Sequence, residues 1–347
     1  MNKFLISKEA SILDALKQID SISEQQTKVL FVIDDNFKIV GTLSDGDCRR
    51  ALISNFGLSA KIKSVMNKKF IYFIHNKLDI DKIKIVKKLG LKYIPELNEN
   101  GTLFKIVDFS KGKSYVPVDA VLMAGGKGER LRPLTNDTPK PLLKVNEKPI
   151  IDYNVKNLLN CGIKNINVTV NYLKEQIQEH FKNPVDGVFI KCVEEPKFLG
   201  TIGSVKFIKE WDNDTVLIMN SDLFTNIDIE AFYFHFLESK ADMSVAGVPY
   251  DVNIPYGIFE LKNTREIVGI TEKPSYRYYA NAGIYLIKRE LFDLIPDDTF
   301  FDATDLIAEL VKRNKRVIRF PITGYWVDIG KPGDYKNVQE FAKNISK

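Results

Sequence analysis

Val121-Leu122-Met123-Ala124-Gly125-Gly126-Lys127-Gly128-Glu129-Arg130-Leu131-Arg132-Pro133-Leu134-Thr135, followed by Pro139-Lys140-Pro141-Leu142, is the stretch on which the fold of this chain turns. An apolar run leads straight into three glycines within four residues. Glycine reaches positive φ without strain and lets backbone N–H groups approach an anion closely. Lys127, Arg130, Arg132 and Lys140 add fixed positive charge nearby. On these chemical grounds the segment is a phosphate cradle at a strand end. It has no G-x-x-x-x-G-K-[ST], so it is not a P-loop. It also lacks the third glycine of G-x-G-x-x-G, so a dinucleotide fingerprint fits poorly.

Outward from this loop, strands and helices alternate. Strand-like runs lie at 118–124, 165–171, 188–193 and 215–219, and helix-like runs at 149–160, 173–181, 201–210 and 228–239. This alternation predicts an α/β domain with a mainly parallel sheet. In such sheets ligands bind beyond the carboxyl ends of the strands, which is where the glycine loop begins. A boundary is expected at Lys111-Gly112-Lys113-Ser114, giving domains 1–113 and 114–347.

Before that boundary a weak repeat recurs at an offset of about 64 residues. The first copy has a helical stripe (Ile12, Leu16, Ile19), a strand at Val29–Ile33, a turn at Asp34-Asp35-Asn36 and a strand at 38–43. The second has Ile83, Val86 and Leu89, then Tyr93-Ile94-Pro95, a turn at Asn98–Gly101 and a strand at Leu103–Val107. Two such copies can bury their faces against each other.

The 347 residues suit two domains, and 44% hydrophobic with 27% charged residues is ordinary for a soluble globular protein. No uncharged apolar run is long enough for a transmembrane helix, and the N-terminus lacks a signal peptide's apolar core. Cys48, Cys161 and Cys192 are scattered, so a reducing cytoplasm is expected. With His75, His180 and His235 equally dispersed, no zinc site is expected. Residues 1–116 carry 20 Lys+Arg against 13 Asp+Glu, while the remainder carries 30 against 32. The basic excess of the front third therefore suits either an anionic partner or simple solubility. Ten lysines lie between Lys61 and Lys92, but no basic–aromatic motif or recognition helix accompanies them, so no nucleic-acid partner is expected.

GGKGERLRPLT followed by PKPLL resembles the signature of sugar-1-phosphate nucleotidyltransferases, and the resemblance runs over roughly 117–347. It implies a Rossmann-like (GT-A-like) mixed sheet, Mg²⁺ as cofactor, and a nucleoside triphosphate and a sugar 1-phosphate as substrates. Asp222, in Asn220-Ser221-Asp222, resembles one metal aspartate, with Ser221 where the family usually has glycine. Asp328, in Tyr325-Trp326-Val327-Asp328-Ile329-Gly330, resembles the other. A carboxylate at a strand end suits a Mg²⁺ ligand; alone, each aspartate reads more often as a cap or turn residue, and the matching contexts reverse that. Arg130 and Lys140 match the triphosphate-side cations.

By the same resemblance, Leu122, Ala124, Gly125, Gly126, Gly128, Glu195, Gly200 and Thr201 contact the nucleotide. Lys273 would hold the phosphate of the sugar phosphate, and Glu272 and Asn281 its hydroxyls, with Tyr256 and Gly257 passing close to the ring. Glu195, or Glu194 if the loop shifts by one, stands at the base-reading position. A carboxylate offers two acceptors and no donor, which suits the adjacent donors of guanine and tilts the expectation toward GTP. Cytidylyl- or uridylyltransfer on the same fold remains the alternative, and a non-catalytic nucleotide sensor the second.

Gly41-Thr42-Leu43-Ser44-Asp45-Gly46-Asp47 resembles the end of a CBS motif, and with the repeat, residues 1–113 resemble a CBS pair, or Bateman module. That resemblance implies an adenine-nucleotide effector, with Ser44 on phosphate and Asp47 on ribose. The second copy has Asp108 and Lys111 at those places, so one site at most is intact. The architecture is similar to guanylyltransferases of nine-carbon bacterial surface sugars such as legionaminic acid, which implies glucosamine 1-phosphate, or mannose 1-phosphate, as acceptor. It leaves a homodimer or higher homo-oligomer open and implies no membrane partner. Soon after Trp326–Gly330 comes one last helix, so no hexapeptide-repeat β-helix of the acetyltransferase-fused relatives is expected.

Overall fold

A computed structural model describes residues 3–22, 28–75, 77, 79–109 and 114–345. The chain divides into two units, residues 1–115 and 116–347. The expected boundary residues Lys111, Gly112 and Lys113 lie outside the described residues, and with them the second-copy counterpart of Asp47.

The first unit runs β1 (Leu5–Ser7), α1 (Ile12–Ser21), β2 (Val29–Ile33), β3 (Ile39–Ser44), α2 (Asp45–Ile53), β4 (Phe73–Ile74), α3 (Ile80–Lys88), β5 (Tyr93–Leu97) and β6 (Leu103–Asp108). It holds two three-stranded sheets, β1-β2-β3 and β4-β5-β6. In each, the first pair is parallel and the second antiparallel. In its hairpins the repeat is accurate to the residue. Val29↔Ser44 through Ile33↔Ile39 in one hairpin become Tyr93↔Asp108 through Leu97↔Leu103 in the other, every partner displaced by 64. The register shift recurs too, between Val32 and Ile33 and between Glu96 and Leu97. An isolated bridge, Lys38↔Thr102, joins repeat-equivalent positions. Phe31, Ile33, Ile39 and Leu97 are buried together, with Tyr93, Leu103 and Ile106 packed on them. The two copies therefore do bury their faces jointly.

Helix α1 buries Ile12, Ala15 and Ile19, with Leu16 half-buried beside them. In α3 the stripe stops early. Ile83 and Val86 are buried, but Leu89 is the C-cap and 60% exposed. Gly90 takes φ +63° there, and its N–H and that of Leu91 return to Lys87 and Val86, which closes the helix before Leu89 can turn inward.

The second unit opens with β7 (Asp119–Ala124), the short pair β8 (Lys144–Val145) and β9 (Lys148–Pro149), α4 (Ile150–Asn160), β10 (Ile166–Val170), α5 (Lys174–His180) and β11 (Ile190–Glu194). Next come β12 (Thr215–Asn220), β13 (Leu223–Thr225), α6 (Ile229–Glu238), β14 (Met243–Asn253), β15 (Ile258–Leu261), β16 (Ile267–Thr271) and β17 (Ser275–Lys288). It closes with α7 (Ala303–Lys312), β18 (Val317–Pro321), β19 (Trp326–Asp328) and α8 (Pro332–Ile345).

Seven strands form one mixed sheet in the order β11-β10-β7-β12-β17-β14-β18. Only β17 runs against the others. Central β7 is apolar on both faces, as a strand covered on both sides must be. Val121, Val216, Ile218 and Ile287 share one core with Leu306 and Leu310 of α7. At the start of β7, buried Asp119 accepts the N–H groups of Asp212 (2.8 Å) and Asn213 (3.2 Å) and the Asn213 amide (2.7 Å).

The expected helix at 201–210 is instead a 3₁₀ helix over Gly203–Phe207. There the amides of Ile202 and Gly203 both donate to the Phe301 carbonyl and that of Thr201 to the Asp302 carboxylate, which ties the segment to the start of α7. The third strand begins at Ile190 rather than 188, because Val185 and Val188 close a turn around Gly187 at φ +78°. No helix among the described residues is long and apolar enough to cross a membrane.

Candidate active site

The site is built where β7 and β12 end side by side. Ser221, one residue past β12, donates through Oγ (2.6 Å) and N–H (3.2 Å) to the Met123 carbonyl of β7. Asn154 of α4 donates to the carbonyls of Ser221 (3.3 Å) and Leu223 (3.0 Å). Asp222 is therefore fixed by backbone on both sides. The chain then turns into β13, which pairs with β19, with Leu223 opposite Asp328. The two aspartates, distant in sequence, thus meet through a three-residue ladder.

Lys140 lies between them. It is 9% exposed, its ammonium is hydrogen-bonded to Asp222 Oδ2, and Asp328 Oδ1 is 3.7 Å away. Arg130 stands on the same side. A Cβ built on Gly330 would lie 3.5 Å from both the Arg130 guanidinium and Asp328 Oδ2. Burial, reinforced by the charge of Asp222, pushes the Asp328 carboxyl up from its ordinary range, while Lys140 and Arg130 pull it back.

The glycine loop runs between two fixed points. At one end Gly128 takes φ +62°, its carbonyl accepts from Thr135 Oγ1 (2.9 Å), and a Cβ there would be 3.2 Å from Lys140 Cβ. At the other end a Cβ on Gly125 would overlap the Glu195 carboxylate, whose carbon lies 3.0 Å away. Glu195 is 5% exposed and accepts from the Leu199 N–H (3.3 Å). Burial pushes its carboxyl up, and the Leu199 N–H opposes this.

A cleft of about 580 Å³ follows the loop. Of the residues expected from sequence, Ala124, Gly125, Gly126, Gly128, Arg130, Lys140 and Asp222 line it. Leu122 is buried within β7, and Glu195 sits behind Gly125 rather than in the lining. Gly200 (φ +81°) and Thr201 lie away from it, held to the start of α7. Thr201 donates its N–H to Asp302 and accepts the Ala303 N–H, both at 2.8 Å.

The expected sugar-phosphate residues stand apart from this lining. Tyr256 is 72% exposed, and a Cβ on Gly257 would be 2.8 Å from Glu272 Oε2 across the β15–β16 ribbon. Lys273, at φ +46°, follows Glu272. Asn281 in β17 donates to the Tyr285 hydroxyl and accepts the Gly283 N–H, both at 2.9 Å. In the first unit, Ser44 and Asp47 form a reciprocal capping box on α2. Ser44 Oγ and N–H both bond Asp47 Oδ2, and the Asp47 N–H returns to Ser44 Oγ.

Two cleft residues escaped the sequence reading, Asn171 and Phe198. Asn171 directly follows β10, so the strand-end rule alone was enough to flag it. Phe198 carries no pattern of its own.

Asp222 Oδ1 is buried with no hydrogen-bond partner, an expensive condition unless a ligand satisfies it. With Asp328 on the other side of the same cation, the pair fits Mg²⁺, which typically takes one or two carboxylates plus phosphates and water. Among the described residues no group of three or more His, Cys, Asp or Glu side chains is placed to hold a metal by itself. The arrangement thus offers two carboxylates, the cations Lys140 and Arg130 and a glycine-rich loop, the equipment for gripping a polyphosphate.

The nucleotidyl transferase family profile matches residues 119–345. The bifunctional protein GlmU of Methanocaldococcus jannaschii is 32% identical over 231 residues, covering 65% of this chain and 54% of that protein. The chain thus spans about half the length of that relative. The D-glycero-alpha-D-manno-heptose 1-phosphate guanylyltransferase of Aneurinibacillus thermoaerophilus is 27% identical over 227 residues, covering 64% of this chain and 97% of that protein. Among solved structures, HddC from Yersinia pseudotuberculosis superposes with a TM-score of 0.51 at 26% identity, over 65% of this chain and 99% of that one. HddC has also been solved complexed with GMP-PN. A match that takes in the glycine loop and both aspartates shows that the chain belongs to the nucleotidyl transferase family.

Proposed function

We infer that the protein transfers a nucleoside monophosphate, GMP from GTP by preference, to a sugar 1-phosphate and releases pyrophosphate. The observation that carries this reading is Lys140 held between Asp222 and Asp328 at one end of the glycine loop. In-line attack on an α-phosphorus demands positioning and neutralised charge rather than covalent catalysis by the protein. Lys140 and Arg130 neutralise charge on the α-phosphate side, and the loop amides cradle the remaining phosphates. Asp222 and Asp328 would hold Mg²⁺, which would supply further positive charge to the same phosphates. Glu195, buried behind Gly125 at the other end of the loop, is the proposed acceptor for the donor edge of guanine. Gly257, Tyr256, Glu272, Lys273 and Asn281 receive the sugar phosphate.

The guanine preference is supported by the chemistry of Glu195 and by the guanylyltransferase relative. Uridylyl- and cytidylyltransfer are the competing outcomes. The proposed acceptor is glucosamine 1-phosphate, with mannose 1-phosphate next, in cytoplasmic bacterial surface-sugar synthesis. The decisive assay crosses the four nucleoside triphosphates with a panel of sugar 1-phosphates and reads pyrophosphate release. UTP or CTP outperforming GTP overturns the base assignment, and no release from any pair overturns the activity.

For the first unit we propose a CBS pair with an adenine-nucleotide effector. The residue-accurate repeat of the two hairpins supports the pairing. Calorimetry of ATP and AMP on the full-length protein tests it, with binding expected and its loss in Asp47→Ala.

A further inference from the structure

Phe198 lines the cleft while half of its surface, 50%, stays exposed. Its ring meets that of Phe300, with centroids 5.9 Å apart and planes at 61°, and Phe300 is itself 54% exposed. Rings this open are not core packing. A large aromatic side chain left open in a cleft that also carries Arg130, Lys140 and Asp222 marks a place where something apolar and flat is received.

The glycine loop says which part of a ligand reaches it. Its Gly128 end abuts Lys140, whose ammonium holds Asp222, so the polyphosphate belongs there. Its Gly125 end abuts Glu195, and Phe198 is only three residues further on. Asn171, also in the lining, donates its amide to the Glu195 carbonyl at 3.1 Å. The cleft is thus cationic at one end and aromatic at the other, with a loop bare of bulky side chains at Gly125 and Gly126 between. We propose that Phe198 is the stacking face for the nucleobase and that it favours purine over pyrimidine triphosphates. This rests on the reading of the cleft as a nucleoside triphosphate site. A two-ring base covers a phenyl ring more fully than a one-ring base does, so the ring discriminates by overlap, independently of the hydrogen bonds Glu195 supplies.

The test is calorimetry on the full-length protein with Mg²⁺, using GTP, CTP and inorganic tripolyphosphate, for the wild type, Phe198→Ala and Phe198→Trp. Phe198→Ala should weaken GTP roughly 5- to 100-fold, the range expected for losing one base–aromatic stack. It should weaken CTP less and leave tripolyphosphate unchanged, and Phe198→Trp should restore GTP. Unchanged GTP affinity in Phe198→Ala overturns the proposal. So does a parallel loss of GTP and tripolyphosphate, which marks a disturbed loop rather than a lost stack, and so does failure of Phe198→Trp to restore binding. A wild-type protein that binds tripolyphosphate but no nucleotide overturns the proposed function first, and the stacking role with it.

Discussion

Leu223 and Asp328 face each other across the β13–β19 ladder, and this single pairing is what carries the Asp328 carboxylate to within 3.7 Å of the Lys140 ammonium that Asp222 also holds. Three segments converge there: the loop after β7, the end of β12, and β19.

Replacing either aspartate by asparagine keeps the shape and removes one charge. Asp222→Asn and Asp328→Asn should each lower pyrophosphate release by roughly a hundredfold or more, as losing a preorganised charge at a phosphoryl centre does. Far-UV circular dichroism should be unchanged. Turnover within a few-fold of wild type in either variant contradicts the assignment.

Gly125→Ala puts a methyl group where the Glu195 carboxylate lies. An interior clash of this kind costs about 1–3 kcal/mol. The matching relief is specific: Glu195→Ala should rescue the stability of Gly125→Ala in a double-mutant cycle measured by urea unfolding. Strictly additive losses contradict the contact.

Much of this was legible in sequence, and the gaps have physical causes. Glycines beside cations announce an anion site, and a carboxylate after an apolar strand announces a strand-end ligand, because both signals are local. The meeting of Asp222 with Asp328 is set by a ladder between distant segments, which no local pattern encodes. The helix expected at 201–210 is a 3₁₀ turn instead, tied by its first amides to Phe301 and Asp302 a hundred residues on, contacts that no local pattern encodes either. Phe198 escaped because an exposed ring in a loop looks like any other until the cleft around it is seen.

Asp119→Ala removes a buried carboxylate and deprives the half-buried Asp212 and Asn213 amides of their shared acceptor. It should destabilise the protein by about 2 kcal/mol or more, read as a lower urea midpoint. Asp119→Asn should fall between, since an amide oxygen still accepts.

Cys192 tests burial by chemistry. Burial pushes its thiol up to about 11, because the interior disfavours the thiolate. At pH 8 roughly one thiol in a thousand is then ionised, so alkylation by iodoacetamide should be slow in the folded protein and become fast on unfolding in urea. Mass mapping of peptides after a timed pulse reads it. Rapid labelling of Cys192 in the native protein contradicts the packing around β11.

The Ser44–Asp47 box gives the first unit an acid-sensitive element. Burial works against the Asp47 charge, yet the hydrogen bonds from Ser44 and the ion pair with Arg50 outweigh it and hold the carboxyl below its ordinary value. A depressed folded value means that its contribution is present above about pH 4 and is lost as pH falls through the folded value. Asp47→Asn should therefore flatten the acid limb of the stability curve, while Ser44→Ala should cost about 1 kcal/mol near neutrality.

The 64-residue register has one more consequence. Val32 and Glu96 occupy the same place in twin hairpins, and both are buried, at 0% and 2% exposure. One is surrounded by apolar side chains, while the other holds the Tyr115 hydroxyl (2.5 Å) and the His75 ring (3.0 Å). The molecule thus carries its own control experiment. Two hairpins of the same register solve the same burial problem, one with a hydrocarbon and one with a carboxylate that recruits partners. Exchanging the two residues would show how far a hairpin's chemistry can diverge before its geometry does.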